Sequence, residues 1–303
     1  MGALPTAPFG RVLTAMVTPF TADGRQDLDG AQELALHLTS PAGGSDGLVL
    51  SGTTGESPTT TGAEDEALLR AVRDAVGPSV PLVAGVGTND TAHSVELAQA
   101  AQKAGADALL IVSPYYNKPP QAGLIANVRA ILDATELPAM LYDIPGRTAV
   151  AYSSETLIRL AELERVVAVK DAKGDIAAAA QVIAATGLAW YSGDDILTLP
   201  LLSVGACGVV SVASHVVGAR IGSMIAAFDE GRTTDALAVH RSLLPVFTGT
   251  FRTQGVITTK AALRLLGLPG GPVRLPLVDA TEAEIEQLRS DYAAGGVVLP
   301  ESP

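Results

Sequence analysis

The stretch Gly47-Leu48-Val49-Leu50-Ser51-Gly52-Thr53-Thr54-Gly55-Glu56-Ser57, "GLVLSGTTGES", decides the fold. Its first four residues are an uninterrupted apolar run of strand length, and the chain then leaves through a loop of glycines and threonines. A polar break directly after a run with no alternation is what a strand of a parallel sheet shows when both of its faces are covered. The loop itself has the composition of an anion grip. Gly52 and Gly55 let the backbone come close to a ligand, and N–H groups and threonine hydroxyls hold negative charge without a charged side chain. A phosphate loop would carry Lys in a G-K-[ST] element, which is absent, so a small carboxylate is the better guest.

Moving outward, the same unit repeats. Apolar, β-branched runs occur at 13–20 (LTAMVTPF), 47–52 (GLVLSG), 81–87 (PLVAGVG), 108–114 (ALLIVSP), 138–145 (PAMLYDIP), 166–172 (VVAVKDA), 189–195 (AWYSGDD) and 208–214 (GVVSVAS). Helical periodicity lies between them, as in AEDEALLRAVRDAV after Gly62 and TAHSVELAQAAQKAGA after Asp90. Eight βα units over about 230 residues have the rhythm of a closed (β/α)8 barrel. An open doubly wound sheet is the alternative, but its G-x-G-x-x-G turn is matched only by GVGTND (85–90), which lacks the third glycine and follows the third strand. After Gly231 the pattern turns wholly helical, giving an α/β barrel over 1–231 and a small C-terminal helical domain over 232–303, with VVLPESP as a frayed tail.

Composition narrows the function. The 303 residues carry a net charge of -12 and 48% apolar residues. That charge repels nucleic acid and anionic membrane. No apolar run reaches the roughly 18 residues of a membrane span, and the amino terminus lacks a basic region followed by a long apolar core. Cys207 is the single cysteine and sits in GACGVV, where it reads as a small core residue in a reducing, cytoplasmic setting. His37, His93, His215 and His240 are scattered without metal-ligand spacing, so a bound metal or other cofactor is not expected.

In a barrel of this kind chemistry collects at the C-terminal ends of the strands. There the sequence places Thr53-Thr54, Tyr115-Tyr116-Asn117, Tyr142-Asp143 with Arg147 beyond, Lys170-Asp171 and Ser192-Gly193-Asp194-Asp195. Lys170 is one of five lysines against fifteen arginines and follows the apolar VVAV. Burial would lower its pKa and free an amine able to form an imine with a ketone, whereas pairing with Asp171 or another acid would make it structural. Spacing does not choose between the two. Arg147, in YDIPGRT, suits a substrate carboxylate or a salt bridge. Tyr142 could carry a proton or simply pack, and Tyr115-Tyr116 fit an interface as well as a core.

The motifs GTTGES, SPYYNKP, YDIPGRT, VKDAKG and GVVSV, in this order and spacing, resemble the dihydrodipicolinate synthase family within the N-acetylneuraminate lyase superfamily. The likeness spans nearly the whole chain. It implies a pyruvate-dependent class I lyase on a (β/α)8 barrel, a homotetramer built as a dimer of dimers, that condenses pyruvate with aspartate semialdehyde. By motif, Lys170 is similar to the imine-forming lysine, and Thr54 to the residue that holds the pyruvate carboxylate. Tyr142 resembles the proton carrier, linked through Thr53 to Tyr116, which in the family comes from a neighbouring subunit. Gly193 and Val210 match positions lining the pyruvate pocket, and Arg147 resembles the entrance arginine that recognises the semialdehyde. Relatives that cleave sialic acid or 2-keto-3-deoxy sugar acids share the lysine and tyrosine, and Arg147 favours the synthase over them. A barrel that only binds is disfavoured by the presence of Lys170, Tyr142 and Thr53 together. Where lysine-inhibited members carry charged effector ligands, this chain has Gly62, Asp65 and His93, although Asn89 and Tyr115 remain. Weak or absent feedback by lysine is expected.

Overall fold

In the computed structural model, which describes residues 6–301, the eight runs pair in chain order into one closed parallel barrel. The strands are β1 Val12–Ala15, β2 Gly47–Leu50, β3 Leu82–Gly85, β4 Ala108–Val112, β5 Ala139–Asp143, β6 Val166–Asp171, β7 Ala189–Ser192 and β8 Gly208–Ser211. β1 pairs with both β2 and β8, so no edge strand is left open. Several strands stop short of the run read from the sequence. Pro19 and Pro114, near the ends of the first and fourth runs, have no N–H to give to a ladder.

Strand side chains alternate between two environments. Leu13, Ala15, Val49, Val83, Leu110, Met140, Tyr142, Ala168, Tyr191 and Val210 face one another inside the barrel, where small alanines make room for the tyrosines. The intervening residues, among them Leu48, Leu82, Leu109, Leu141 and Val169, face the helical jacket. This two-sided burial explains the unbroken apolar runs. Cys207 lies on the inner side, fully buried, and burial pushes its thiol up to about 12, so it packs and does not react.

The jacket follows from local signals. Asp27 caps α1 (Leu28–Thr39) by accepting from the Gly30 N–H. Thr61 and Glu64 form a reciprocal capping box on α2 (Gly62–Val76), and Asp90 caps α3 (Thr91–Ala104). Next come α4 (Gln121–Asp133), the four-residue α5 (Pro145–Thr148), α6 (Ser154–Leu160), α7 (Ile176–Thr186), α8 (Thr198–Leu202) and α9 (Ser214–Asp229).

The all-helical segment forms α10 (Thr233–Thr250), α11 (Gly255–Leu265) and α12 (Glu282–Ala294). Leu243, Val246, Phe247, Leu288 and Tyr292 share one core with Ile221, Met224 and Ile225 of α9 and with Val12 and Val209 of the barrel. The reading of the last residues as frayed needs correction over its described part. Leu299 is buried in that same core and the Pro300 carbonyl accepts from Arg289 at 2.7 Å, because the apolar VVL can cover the ends of the helices. Ser302 and Pro303 lie outside the described residues.

Candidate active site

The C-terminal rim of the barrel holds a narrow chamber of about 60 Å³ that adjoins a wider cavity of about 470 Å³. The two share Thr53, Tyr142, Ile144, Arg147 and Gln254 in their walls. Lys170, Thr54, Gly193 and Val212 close the chamber on the barrel side, and Phe251, Gly255 and Val256 close it from the C-terminal helices.

Lys170 decides its own reading. It is an inward position of β6, in register with Tyr142 of β5 and Tyr191 of β7, whereas Asp171 points to the opposite face. There Asp171 accepts from the Trp190 indole N–H at 3.1 Å and from the Lys173 backbone N–H at 2.8 Å. Pairing of Lys170 with its neighbour is therefore excluded by the strand pleat. Among the described residues the Lys170 ammonium has no hydrogen-bonded carboxylate at all. Burial draws its pKa down to about 7, against the pull of the Asp195 carboxylate and with help from the Arg147 charge. Its Nζ lies 4.1 Å from the centre of the Tyr142 ring.

Tyr142 is buried, and burial pushes its phenol up to about 12, with Arg147 and a hydrogen bond from Thr53 drawing it partly back. It stays protonated at neutral pH, beside a lysine that titrates there. The loop after β2 presents Thr53 and Thr54 to this pair. The loop is set by backbone bonds from Glu56 N–H to Thr53 O (3.1 Å) and from Ser57 N–H to Gly52 O (3.3 Å). Among the described residues the Thr53 and Thr54 N–H groups have no backbone acceptor, so they are free to meet a ligand.

Arg147 sits on α5, exposed at the chamber mouth, and donates from Nη2 to the Gln254 side-chain oxygen at 2.7 Å. Among the described residues it has no acidic partner within 4.0 Å, so the salt-bridge reading is not met and its fork has capacity for an anion. Gly193 is closely packed: a Cβ there would sit 3.0 Å from the Asp171 carbonyl, so a larger residue would press on that strand end. Val210 is buried one inward layer below, and Val212, not Val210, lines the chamber. Tyr116 borders the wider cavity, is 88% exposed and has a left-handed φ of +72°.

Among the described residues the non-glycine positions with positive φ are Ser51, Glu56, Tyr116, Lys118 and Ala149, and all follow strand ends on this rim. Such backbone is costly and persists where surroundings over-determine it. The sequence places Asp195 at this rim without a role; its carboxylate accepts from the Ser211 hydroxyl and from the Val212 (3.2 Å) and Ala213 (3.1 Å) N–H groups, fixing the turn that carries Val212. Sequence reading missed Gln254, Phe251 and Val256, which arrive from a segment read only as a helical appendage. Among the described residues no group of three or more His, Cys, Asp or Glu is placed to hold a metal ion.

Residues 8–294 match the model of the Dihydrodipicolinate synthetase family. The chain belongs to the dihydrodipicolinate synthase family. It is 67% identical over 294 residues to the 4-hydroxy-tetrahydrodipicolinate synthase of Acidothermus cellulolyticus, covering 97% of this chain and 95% of that one. Among solved structures, the dihydrodipicolinate synthase of Cyanidioschyzon merolae with lysine bound superposes with a TM-score of 0.93 at 47% identity, covering 96% of this chain and 99% of that one. The chloride-inhibited dihydrodipicolinate synthase of Acinetobacter baumannii complexed with pyruvate gives a TM-score of 0.91 at 34% identity, covering 96% and 100%. These dihydrodipicolinate synthase structures thus share the fold over 96% of this chain.

Proposed function

We propose that this chain is a 4-hydroxy-tetrahydrodipicolinate synthase, a lyase that condenses pyruvate with L-aspartate 4-semialdehyde through an imine on Lys170, in lysine and diaminopimelate biosynthesis. One observation carries the reading: a lysine in the barrel interior, without a carboxylate partner among the described residues, held by burial near a pKa of about 7 and set against a protonated tyrosine. The chamber around it, at about 60 Å³, is several times the roughly 10–15 Å³ that one water needs, which suits a three-carbon acid.

The neutral amine attacks C2 of pyruvate, and loss of water leaves the imine. Removal of a methyl proton gives the enamine, whose carbon adds to the aldehyde carbon while the new alkoxide takes up a proton. The substrate amino group then attacks C2, closes the ring and expels the Lys170 amine. Tyr142 hands protons in and out of these steps, with Thr53 and Tyr116 as the relay. Thr54 holds the pyruvate carboxylate through its hydroxyl and N–H, Gly193 and Val212 border the same ligand with Val210 in the layer beneath, and Arg147 receives the semialdehyde carboxylate at the mouth. The exposure of Tyr116 fits a side chain shared between subunits of a homotetramer. We place that assembly in the cytoplasm, with residues 1–231 as the catalytic barrel and 232–303 as the helical domain that completes its wall.

The competing reading is a class I lyase for sialic acid or a 2-keto-3-deoxy sugar acid. Arg147, unpaired by any acid among the described residues, favours the shorter carboxylate-bearing aldehyde. Incubation with pyruvate and borohydride, followed by mass mapping, is expected to label Lys170; aspartate semialdehyde and N-acetylneuraminate offered in parallel should give turnover with the first alone. Turnover of the second alone would replace the proposed substrate.

A further inference from the structure

The loop that carries Thr53 and Thr54 ends on Glu56, and Glu56 is an unusual residue. It is 2% exposed and its backbone is left-handed, with φ +58° and ψ +34°. Both carboxylate oxygens are taken. Oε1 accepts from the Lys260 ammonium at 2.6 Å, and Oε2 accepts from the Arg274 backbone N–H at 2.8 Å. Lys260, on α11, is 0% exposed. It gives a further hydrogen bond to the Pro272 carbonyl at 2.8 Å, and its Nζ lies 4.3 Å from the centre of the Phe20 ring. Arg274 donates to Glu64 (2.6 Å), to the Thr59 carbonyl (2.8 Å) and to the Gly24 carbonyl (2.9 Å). The C-terminal segment thus holds the loop by its charges, more than 200 residues away in sequence.

A buried ion pair is a poor source of net stability, because desolvation offsets most of the attraction, while removal of one partner leaves an uncompensated charge. What this pair does supply is direction. Glu56 cannot leave its left-handed conformation without breaking the bond to Lys260, and the Glu56 N–H holds the Thr53 carbonyl at 3.1 Å. The connection is continuous: the Lys260 ammonium, the Glu56 carboxylate, the Glu56 backbone, then the carbonyl of the residue that starts the Thr53-Thr54 pair. From the other side the Thr18 hydroxyl donates to the Gly55 carbonyl at 2.7 Å, so the loop is gripped at adjacent peptides.

We propose that Lys260 is a positioning residue for oxo-acid recognition: through Glu56 it fixes the Thr53-Thr54 loop so that the hydroxyl and N–H groups of Thr54 meet the pyruvate carboxylate. The inference rests on the imine reading given above. It assigns a role to a lysine that never touches substrate, and it makes α11 part of the binding apparatus.

The test compares Lys260→Met, Glu56→Gln and the double variant Glu56→Gln/Lys260→Met, using pyruvate and borohydride trapping together with steady-state turnover and thermal unfolding. The single variants leave one buried partner without its counterpart and unfold at lower temperature, whereas the double variant, free of buried charge, recovers most of the loss. Recognition does not recover. In the double variant the KM for pyruvate stays raised by roughly 10- to 100-fold, the worth of one or two charge-assisted hydrogen bonds, and this rise exceeds any fall in kcat that displacement of Thr53 brings. Saturating pyruvate then still traps on Lys170. A double variant with the unmodified protein's KM, or with kcat alone lowered, overturns the proposal. So does one that cannot fold, since the pair would then serve the fold itself. Absence of a trapped adduct in the unmodified protein would overturn the imine reading and this inference with it, whereas a normal adduct in every variant at low pyruvate overturns the positioning role only.

Discussion

Two lysines are buried in this molecule, and they share more than their burial. Lys170 is 6% exposed with Nζ 4.1 Å from the Tyr142 ring centre, and Lys260 is 0% exposed with Nζ 4.3 Å from the Phe20 ring centre. They differ in their acids. Lys260 is hydrogen-bonded to Glu56 at 2.6 Å; burial lowers its pKa to about 8, and the Glu56 charge and hydrogen bond hold it from falling further, so the ammonium form predominates at neutral pH. Lys170 has only the longer-range field of Asp195, a carboxylate already committed to Ser211 and two backbone N–H groups. The same residue type is thus tied to a carboxylate and mostly charged at neutral pH in one place, and without a carboxylate contact and titrating near 7 in the other. Contact with a carboxylate, and not depth of burial, separates the structural lysine from the nucleophile.

The widest separation should appear on deleting each amine. Lys170→Met is expected to abolish both the trapped adduct and turnover, a loss beyond roughly 10³-fold, while Lys260→Met keeps an adduct on Lys170. Residual turnover by the Lys170 variant would erase the distinction. Next in size is the hydroxyl that Tyr142 has and Phe20 lacks. Tyr142→Phe leaves an aromatic face under the lysine but removes the proton carrier, so kcat should fall by roughly 10²- to 10⁴-fold with pyruvate still trapped. A kcat close to the original would show that the ring alone suffices.

The comparison can also be inverted by giving Lys170 the acid it lacks. Val212→Asp puts a carboxylate in the chamber wall, and a close opposite charge raises an ammonium pKa by about one to three units. The sign is fixed by which form reacts. The ammonium is inert below the pKa and the amine attacks above it, so imine formation rises with pH through about 7 in the unmodified protein and only at more alkaline pH in the variant. An unmoved profile would mean that some other group sets it. Arg147→Ala, which leaves both lysines in place, should raise the KM for aspartate semialdehyde by roughly 10- to 100-fold and leave that for pyruvate nearly unchanged. Pyruvate KM rising instead would put Arg147 in the wrong pocket.

The smallest expected effect concerns lysine as an effector. Asp65 spends its carboxylate on the Ser51 and Thr60 hydroxyls, each at 2.8 Å, and His93 is exposed beside Glu96. Losing an effector ligand weakens binding by about 1.5–3 kcal/mol. A titration is expected to show weak inhibition or none, and half-inhibition at submillimolar lysine would contradict it.

What the sequence made legible follows from locality. The eight runs, the helical periodicity between them and the burial of Lys170 behind VVAV all depend on residues within a few positions of one another. Lys170 could be read as a nucleophile or a paired cation, and it took the pleat, which turns Asp171 to Trp190, to separate these. The partners of Glu56 were not legible, because Lys260 and Arg274 lie 204 and 218 residues further along the chain. A signal was nevertheless present. Lys260 falls in a continuously buried run of α11, with Val256, Ile257, Ala261 and Leu263 around it. A charge in such a place demands a partner. The closing of the chamber by Phe251, Gln254 and Val256, and the docking of Leu299, escaped for the same reason, since periodicity says which face of a helix is apolar but not which surface it will cover.

The most direct measurement is reductive trapping of the unmodified protein with pyruvate across pH 6 to 9, with the yield at each lysine counted by peptide mass. Label confined to Lys170, rising with a midpoint near pH 7 while Lys260 stays unlabelled, is the predicted result. Label on Lys260, or label on Lys170 that follows the titration of an ordinary surface amine, would contradict the account.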